Sequence, residues 1–95
     1  MKLDERIKEL RLARGLSQVD LADSLGVTKQ SVSNWENSNI QPSIDMLMRL
    51  ANYFSVSTDY LLGMDDRDYI EATGLDDKEL AHIRQIIDYI RKKQN

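Results

Sequence analysis

Apolar residues recur along this chain at steps of three and four, in short runs broken by glycines and hydroxyl residues. That is the 3.6-residue period of amphipathic helices. It predicts helices over 4–14, 18–25, 29–36 and 44–54, and a short one over 58–62. The inward positions are Leu3, Ile7 and Leu10; Leu21, Ala22 and Leu25; Val32 and Trp35; Ile44, Leu47, Leu50, Ala51 and Phe54; and Leu61 and Leu62. Gly15, Gly26 and Gly63 each follow an apolar run, where a left-handed glycine commonly ends a helix. A start signal recurs three times: Leu16-Ser17 with Leu21, Val27-Thr28 with Val32, and Val56-Ser57 with Leu61. In each, a hydroxyl accepts a bond from an orphan backbone N–H while the two apolar residues clasp across it as a hydrophobic staple. Pro42-Ser43 opens the fourth helix, the proline keeping the preceding loop from turning helical early. No stretch alternates at period two, so the expected fold class is all-α.

Beyond Gly63 the pattern changes. Residues 64–79 carry Asp65, Asp66, Asp68, Glu71, Asp76, Asp77 and Glu79 against only Arg67 and Lys78. Leu75-Asp76 with Glu79 and Leu80 then forms another staple with a capping-box reach, predicting a last helix over 77–93. The expected organisation is a compact five-helix domain over 1–63, then an acidic linker and one C-terminal amphipathic helix over 64–95. On that helix Leu80, Ile83, Ile87 and Ile90 follow steps of 3, 4 and 3, the seam of a heptad, with Ile86 and Tyr89 widening one flank. Two heptads do not make a stable isolated coiled coil. The stripe therefore packs back on the domain or meets the same helix of a second subunit. The acidic linker favours the second choice, a homodimer closed by two-fold symmetry.

Composition narrows the function. Ninety-five residues with no cysteine, one histidine and one proline describe one small domain. Apolar residues at 41% and charged residues at 31% make a globular balance. Without cysteine there is no disulfide scaffold, thiolate zinc site or thiol nucleophile. No run of 18 apolar residues suggests a membrane span, and no secretion pattern opens the chain; the expected compartment is the cytoplasm. His82 stands without a second metal-binding partner, and Asp65, Asp66 and Asp68 lack the glycine and terminal glutamate of a calcium loop. Phosphate-binding and serine-elbow motifs are missing. Neither a metal, a cofactor nor an enzymatic activity is expected. The net charge of −3 by itself counts against a nucleic-acid partner.

The third helix outweighs that objection. Two helices joined by the tight Gly26-Val27-Thr28 turn have helix-turn-helix spacing, and in that device the second helix lies in the DNA major groove. Turning Val32 and Trp35 inward leaves Gln30, Ser33, Asn34 and Asn37 outward. A merely solvated helix face more often carries Glu and Lys. Amides pair with adenine N6 and N7, and Lys29 can reach a guanine or a phosphate.

Residues 6–63 resemble the Cro and phage-repressor class of helix-turn-helix domains, also called the xenobiotic-response-element class. The match runs through Arg6-Ile7-Lys8-Glu9-Leu10-Arg11, Gly15-Leu16-Ser17-Gln18, Leu21-Ala22, Gly26-Val27-Thr28, Ser31-Val32-Ser33 and Trp35-Glu36. It continues with Pro42-Ser43, Leu50-Ala51, Val56-Ser57 and Leu61-Leu62-Gly63. The resemblance implies that Thr28, Lys29, Gln30 and Asn34 contact bases or adjacent phosphates, joined by Ser33 from the outward face. It implies that Gln18 binds phosphate at a helix N-terminus, where anions are favoured, and that Ser17 and Asn37 also touch the backbone. Arg11 and Glu36 resemble an ion pair tying the first helix to the end of the third; the plain alternative is two independent surface charges.

Two features depart from the pattern. Many members place glycine and then a cation after the Trp-Glu-x triplet, where this chain has Ser38, Asn39, Ile40 and Gln41. Asn37 or Asn39 is expected to supply the left-handed residue instead. Residues 1–63 hold seven basic and eight acidic side chains. Counterion release scales with neutralised phosphates, so weak non-specific binding and a shallow salt slope are expected. The expected function is a DNA-binding transcriptional regulator, a dimeric repressor reading an inverted repeat in double-stranded DNA. The rivals are an antitoxin whose C-terminal segment holds a protein partner, and a protein-interaction adaptor on the same scaffold.

Overall fold

A computed structural model describes residues 2–67, 69–70 and 72–93; Asp68 and Glu71 of the acidic stretch lie outside the described residues. Six helices follow in chain order: α1 Lys2–Ala13, α2 Gln18–Leu25, α3 Lys29–Glu36, α4 Ile44–Phe54, α5 Thr58–Leu62 and α6 Asp77–Lys93. There is no strand among the described residues. Apart from α1, which begins and ends slightly early, the helices keep their predicted bounds.

The starts follow from the caps. Ser17, Thr28, Ser43 and Ser57 are extended N-cap residues whose hydroxyls accept the backbone N–H of Asp20, Ser31, Met46 and Tyr60. Asp20 closes a capping box by accepting the Ser17 N–H at 2.9 Å. Hydrogen bonding from the Ser17 backbone N–H, and then from its hydroxyl, holds the Asp20 carboxyl below its ordinary pKa. At α6, Asp76 N–H donates to Glu79 at 3.0 Å and Glu79 N–H to Asp76 at 2.8 Å.

α1 packs on α3 and α5, α2 on α3, and α4 on α5. Ile7, Leu21, Val32, Leu50 and Leu61 are fully buried where these helices converge. Leu3, Ala22, Leu25, Trp35, Ala51 and Phe54 complete the core, with Leu10 and Leu47 half-buried against it. Gly63 closes α5 at φ +77°, and a Cβ there would lie 2.5 Å from Lys2 Cγ. Both the backbone and the close approach of α1 demand glycine.

Two inward assignments are corrected. Ile44 is 79% exposed and Leu62 41%. Ile44 keeps the α4 period but is the first helical residue, beyond the reach of the other helices. α5 is a single turn that buries Leu61 alone. Arg6 and Arg11, by contrast, are buried at 7% exposure each, on the stripe with Leu3, Ile7 and Leu10.

Leu50→Ala is expected to cost about 2–5 kcal/mol through cavity formation, and Ile44→Ala to stay within about 0.5 kcal/mol as a surface change. Urea denaturation of the two variants checks this; equal losses would return Ile44 to the core.

Candidate nucleic-acid interface

α3 is placed by its buried side. Val32 and Trp35 are sunk into the core, turning Thr28, Lys29, Gln30 and Asn37 fully outward, with Ser33 and Asn34 half-buried at their flank. The outward side chains hold one another. Gln30 Nε2 donates to Asn34 Oδ1 at 3.0 Å, Asn37 Nδ2 to Ser33 Oγ at 3.2 Å, and the Thr28 and Ser31 hydroxyls lie 3.0 Å apart. These contacts restrict the rotamers while each amide retains donor and acceptor capacity for the paired edge of a base. Lys29 adds the one cation of α3.

Arg11 and Glu36 come together as an ion pair. Arg11 Nε donates to Glu36 Oε2 at 2.7 Å and Nη2 to Oε1 at 3.0 Å. The two side chains are only 9% and 2% exposed. The Glu36 hydrogen bonds raise the Arg11 pKa. Arg11 Nη1 also donates to the Leu16 carbonyl at 2.7 Å. Gln18 Nε2 reaches the same carboxylate at 3.2 Å, a contact that sequence reasoning missed. Gln18 therefore spends one amide hydrogen on Glu36, and its backbone N–H opens α2. The Ser17 hydroxyl accepts from the Asp20 backbone N–H at 3.0 Å.

The end of α3 corrects the expectation for the left-handed residue. Ser38 takes that conformation at φ 59°; Asn37 has φ −95°. This turn lets Asn39 N–H bond the Asn34 carbonyl at 2.9 Å. The Ser38 hydroxyl donates to Asp4 of α1, and that bond holds the Asp4 carboxyl below its usual pKa. A long-range tie to α1 thus accompanies the unfavourable backbone.

Three arginines of the five-helix part, Arg6, Arg14 and Arg49, are engaged away from α3. The Arg6 guanidinium stacks 3.9 Å from the Tyr60 ring centroid, and Arg6 also bonds the Tyr60 carbonyl and the Asp66 carboxylate. Arg14 lies over Tyr53 and Phe54, and Arg49 donates to the Leu25 carbonyl. No group of metal-ligating residues stands among the described residues, and none of their helices is long and apolar enough to cross a membrane.

A family profile described as helix-turn-helix matches residues 7–61. The chain belongs to this helix-turn-helix family. Among its relatives, the HTH-type transcriptional regulator ImmR of Bacillus subtilis (strain 168) is 41% identical over 66 residues, covering 70% of this chain and 52% of that protein. The chain spans about half the length of the curated relatives it matches first. Among solved structures, the P22 c2 repressor in complex with synthetic operator 9T is similar at TM-score 0.64 and 32% identity, over 68% of this chain and 98% of that one. A chain of the SinR protein/SinI protein complex is similar at TM-score 0.58 and 25% identity, over 97% of both chains. In this helix-turn-helix chain, α2 and α3 are the paired helices, and α3 presents the amide-rich face.

Arg11→Ala would strand a buried carboxylate and is expected to cost about 3–5 kcal/mol, whereas Arg11→Met with Glu36→Met should cost much less. Urea unfolding of the single and double variants measures the difference. Equal losses would show that the ion pair itself, rather than a stranded charge, sets the stability.

Proposed function

We propose that this chain is a DNA-binding transcriptional regulator that lays α3 in the major groove of double-stranded DNA. Residues 1–63 form the DNA-binding unit, and residues 64–95 carry the helix that pairs two copies. Thr28, Lys29, Gln30, Ser33 and Asn34 face base edges or the adjoining backbone, while Ser17, Gln18 and Asn37 meet phosphates. The Arg11–Glu36 pair orients α3 against α1. Two-fold pairing sets two α3 helices about 34–36 Å apart on one DNA face, and the matching operator is an inverted repeat.

The observation that carries this reading is the row of hydrogen-bonded amides and hydroxyls on α3, exposed at Gln30 and Asn37 and half-buried at Ser33 and Asn34, on a helix whose opposite side is locked in the core. The similarity to a repressor solved on operator DNA supports it, as do relatives named as transcriptional regulators. With Arg6, Arg14 and Arg49 engaged away from α3, recognition rests on amides and backbone N–H groups more than on phosphate neutralisation. A second protein held through the C-terminal helix is the alternative use of residues 64–95, favoured by the similarity to the SinR protein/SinI protein complex over almost the whole chain.

Gln30→Ala is expected to weaken binding to the tightest-binding duplex by about 1–3 kcal/mol and to leave the unfolding midpoint in place. Fluorescence anisotropy on that duplex and on a scrambled one measures it. Equal losses on both would mean that Gln30 does not read bases.

A further inference from the structure

α6 carries an apolar stripe, yet no residue of the helix is buried. Its two halves differ. Towards the N-terminal half, Tyr69, Ile70 and Leu75 of the linker flank Leu80, Ile83 and Ile87, leaving a cleft of about 260 Å³. Towards the C-terminal half the apolar side chains protrude: Ile86 is 45% exposed, Tyr89 63% and Ile90 49%. The charges are divided in the same way, with Asp77 and Glu79 in the first turn and Arg91, Lys92 and Lys93 in the last.

Building on the proposed dimer, we infer that two copies of α6 pair antiparallel, the protruding C-terminal half of each seated in the linker-flanked cleft of the other. The heptad seam is symmetric about Gln85. An antiparallel pair sets Leu80 opposite Ile90 of the second copy, and Ile83 opposite Ile87. Residues 83–90 of one helix then lie over the cleft that spans 80–87 of the other. Across the flanks Asp77 meets Arg91, and Glu79 meets Lys93, so all four ends are matched in charge. A parallel pair would set the acidic ends together and the basic ends together, with cleft facing cleft and protrusion facing protrusion. Like charges so placed oppose association. Shape and charge select the same orientation independently.

The chain has no cysteine, so single labels are easily placed. Lys78, Gln85 and Lys92 fall on the heptad position opposite the seam and are all exposed. Full-length Lys78→Cys, Gln85→Cys and Lys92→Cys variants, each spin-labelled, are measured by pulsed dipolar spectroscopy, with sedimentation to establish association. In the antiparallel pair the labels at 78 and at 92 are offset along the axis by about 21 Å, from the 1.5 Å rise per residue, and those at 85 by none. The expected result is a short distance at 85 and two longer, similar distances at 78 and 92. A mixture of the Lys78→Cys and Lys92→Cys chains should restore a short distance. Three equal distances in a dimer would overturn the antiparallel orientation and leave the dimer standing. Distances unrelated to position in a dimer would overturn pairing through α6. A monomer in sedimentation would overturn the orientation together with the dimer on which it rests.

Discussion

The arrangement of the five-helix part turns on one buried carboxylate. Glu36, the last residue of α3, accepts two hydrogen bonds from Arg11 of α1 and one from Gln18 at the start of α2. The same guanidinium holds the Leu16 carbonyl in the α1–α2 connection. Three helices and one turn therefore meet at a single pair of charges. Desolvating such a pair offsets much of its Coulomb attraction, so its net contribution to stability is modest. Its geometric effect is larger: two parallel N–H···O bonds fix angle as well as distance, and α3 cannot roll about its axis without breaking them.

The orientation of α3 matters because, Lys29 apart, its outward face carries short, uncharged groups. Thr28, Gln30, Ser33, Asn34 and Asn37 are already linked to one another or to Ser31. Ordering flexible side chains at an interface opposes binding, and a row restrained beforehand loses less freedom on docking. Long cations would act differently, gaining affinity from any duplex through counterion release. In this chain Arg6 and Arg11 are buried and Arg14 lies over aromatic rings. In the proposed function this distribution of cations favours discrimination over general adhesion to phosphate. The start of the acidic stretch is tied in where Arg6 bonds the Asp66 carboxylate at 2.8 Å and the Asp65 carbonyl at 3.4 Å.

Much of this is legible in the sequence. N-cap hydroxyls and staples act over four or five residues, and the starts at Ser17, Thr28, Ser43 and Ser57 all lie where the residue types put them. The ion pair was legible only through resemblance, since Arg11 and Glu36 are 25 residues apart and no local pattern joins them. Periodicity shows which side of a helix turns inward but not where the neighbouring helices end, hence the exposed Ile44 and Leu62. Arg6 shares the stripe of Leu3 and Ile7, but the Tyr60 and Asp66 partners that let a cation be buried there lie 54 and 60 residues away. Ser38 was hidden for another reason: its left-handed backbone is accompanied by a hydrogen bond to Asp4, 34 residues away, which propensity cannot register.

The central claim is that the α3 face distinguishes base edges, and selection of duplexes from a random pool by the full chain tests it most directly. The expected result is enrichment of one inverted repeat whose half-site centres lie about 34–36 Å apart, one helical turn. A pool that stays random in sequence after repeated rounds, although duplex is retained, would contradict base reading by α3.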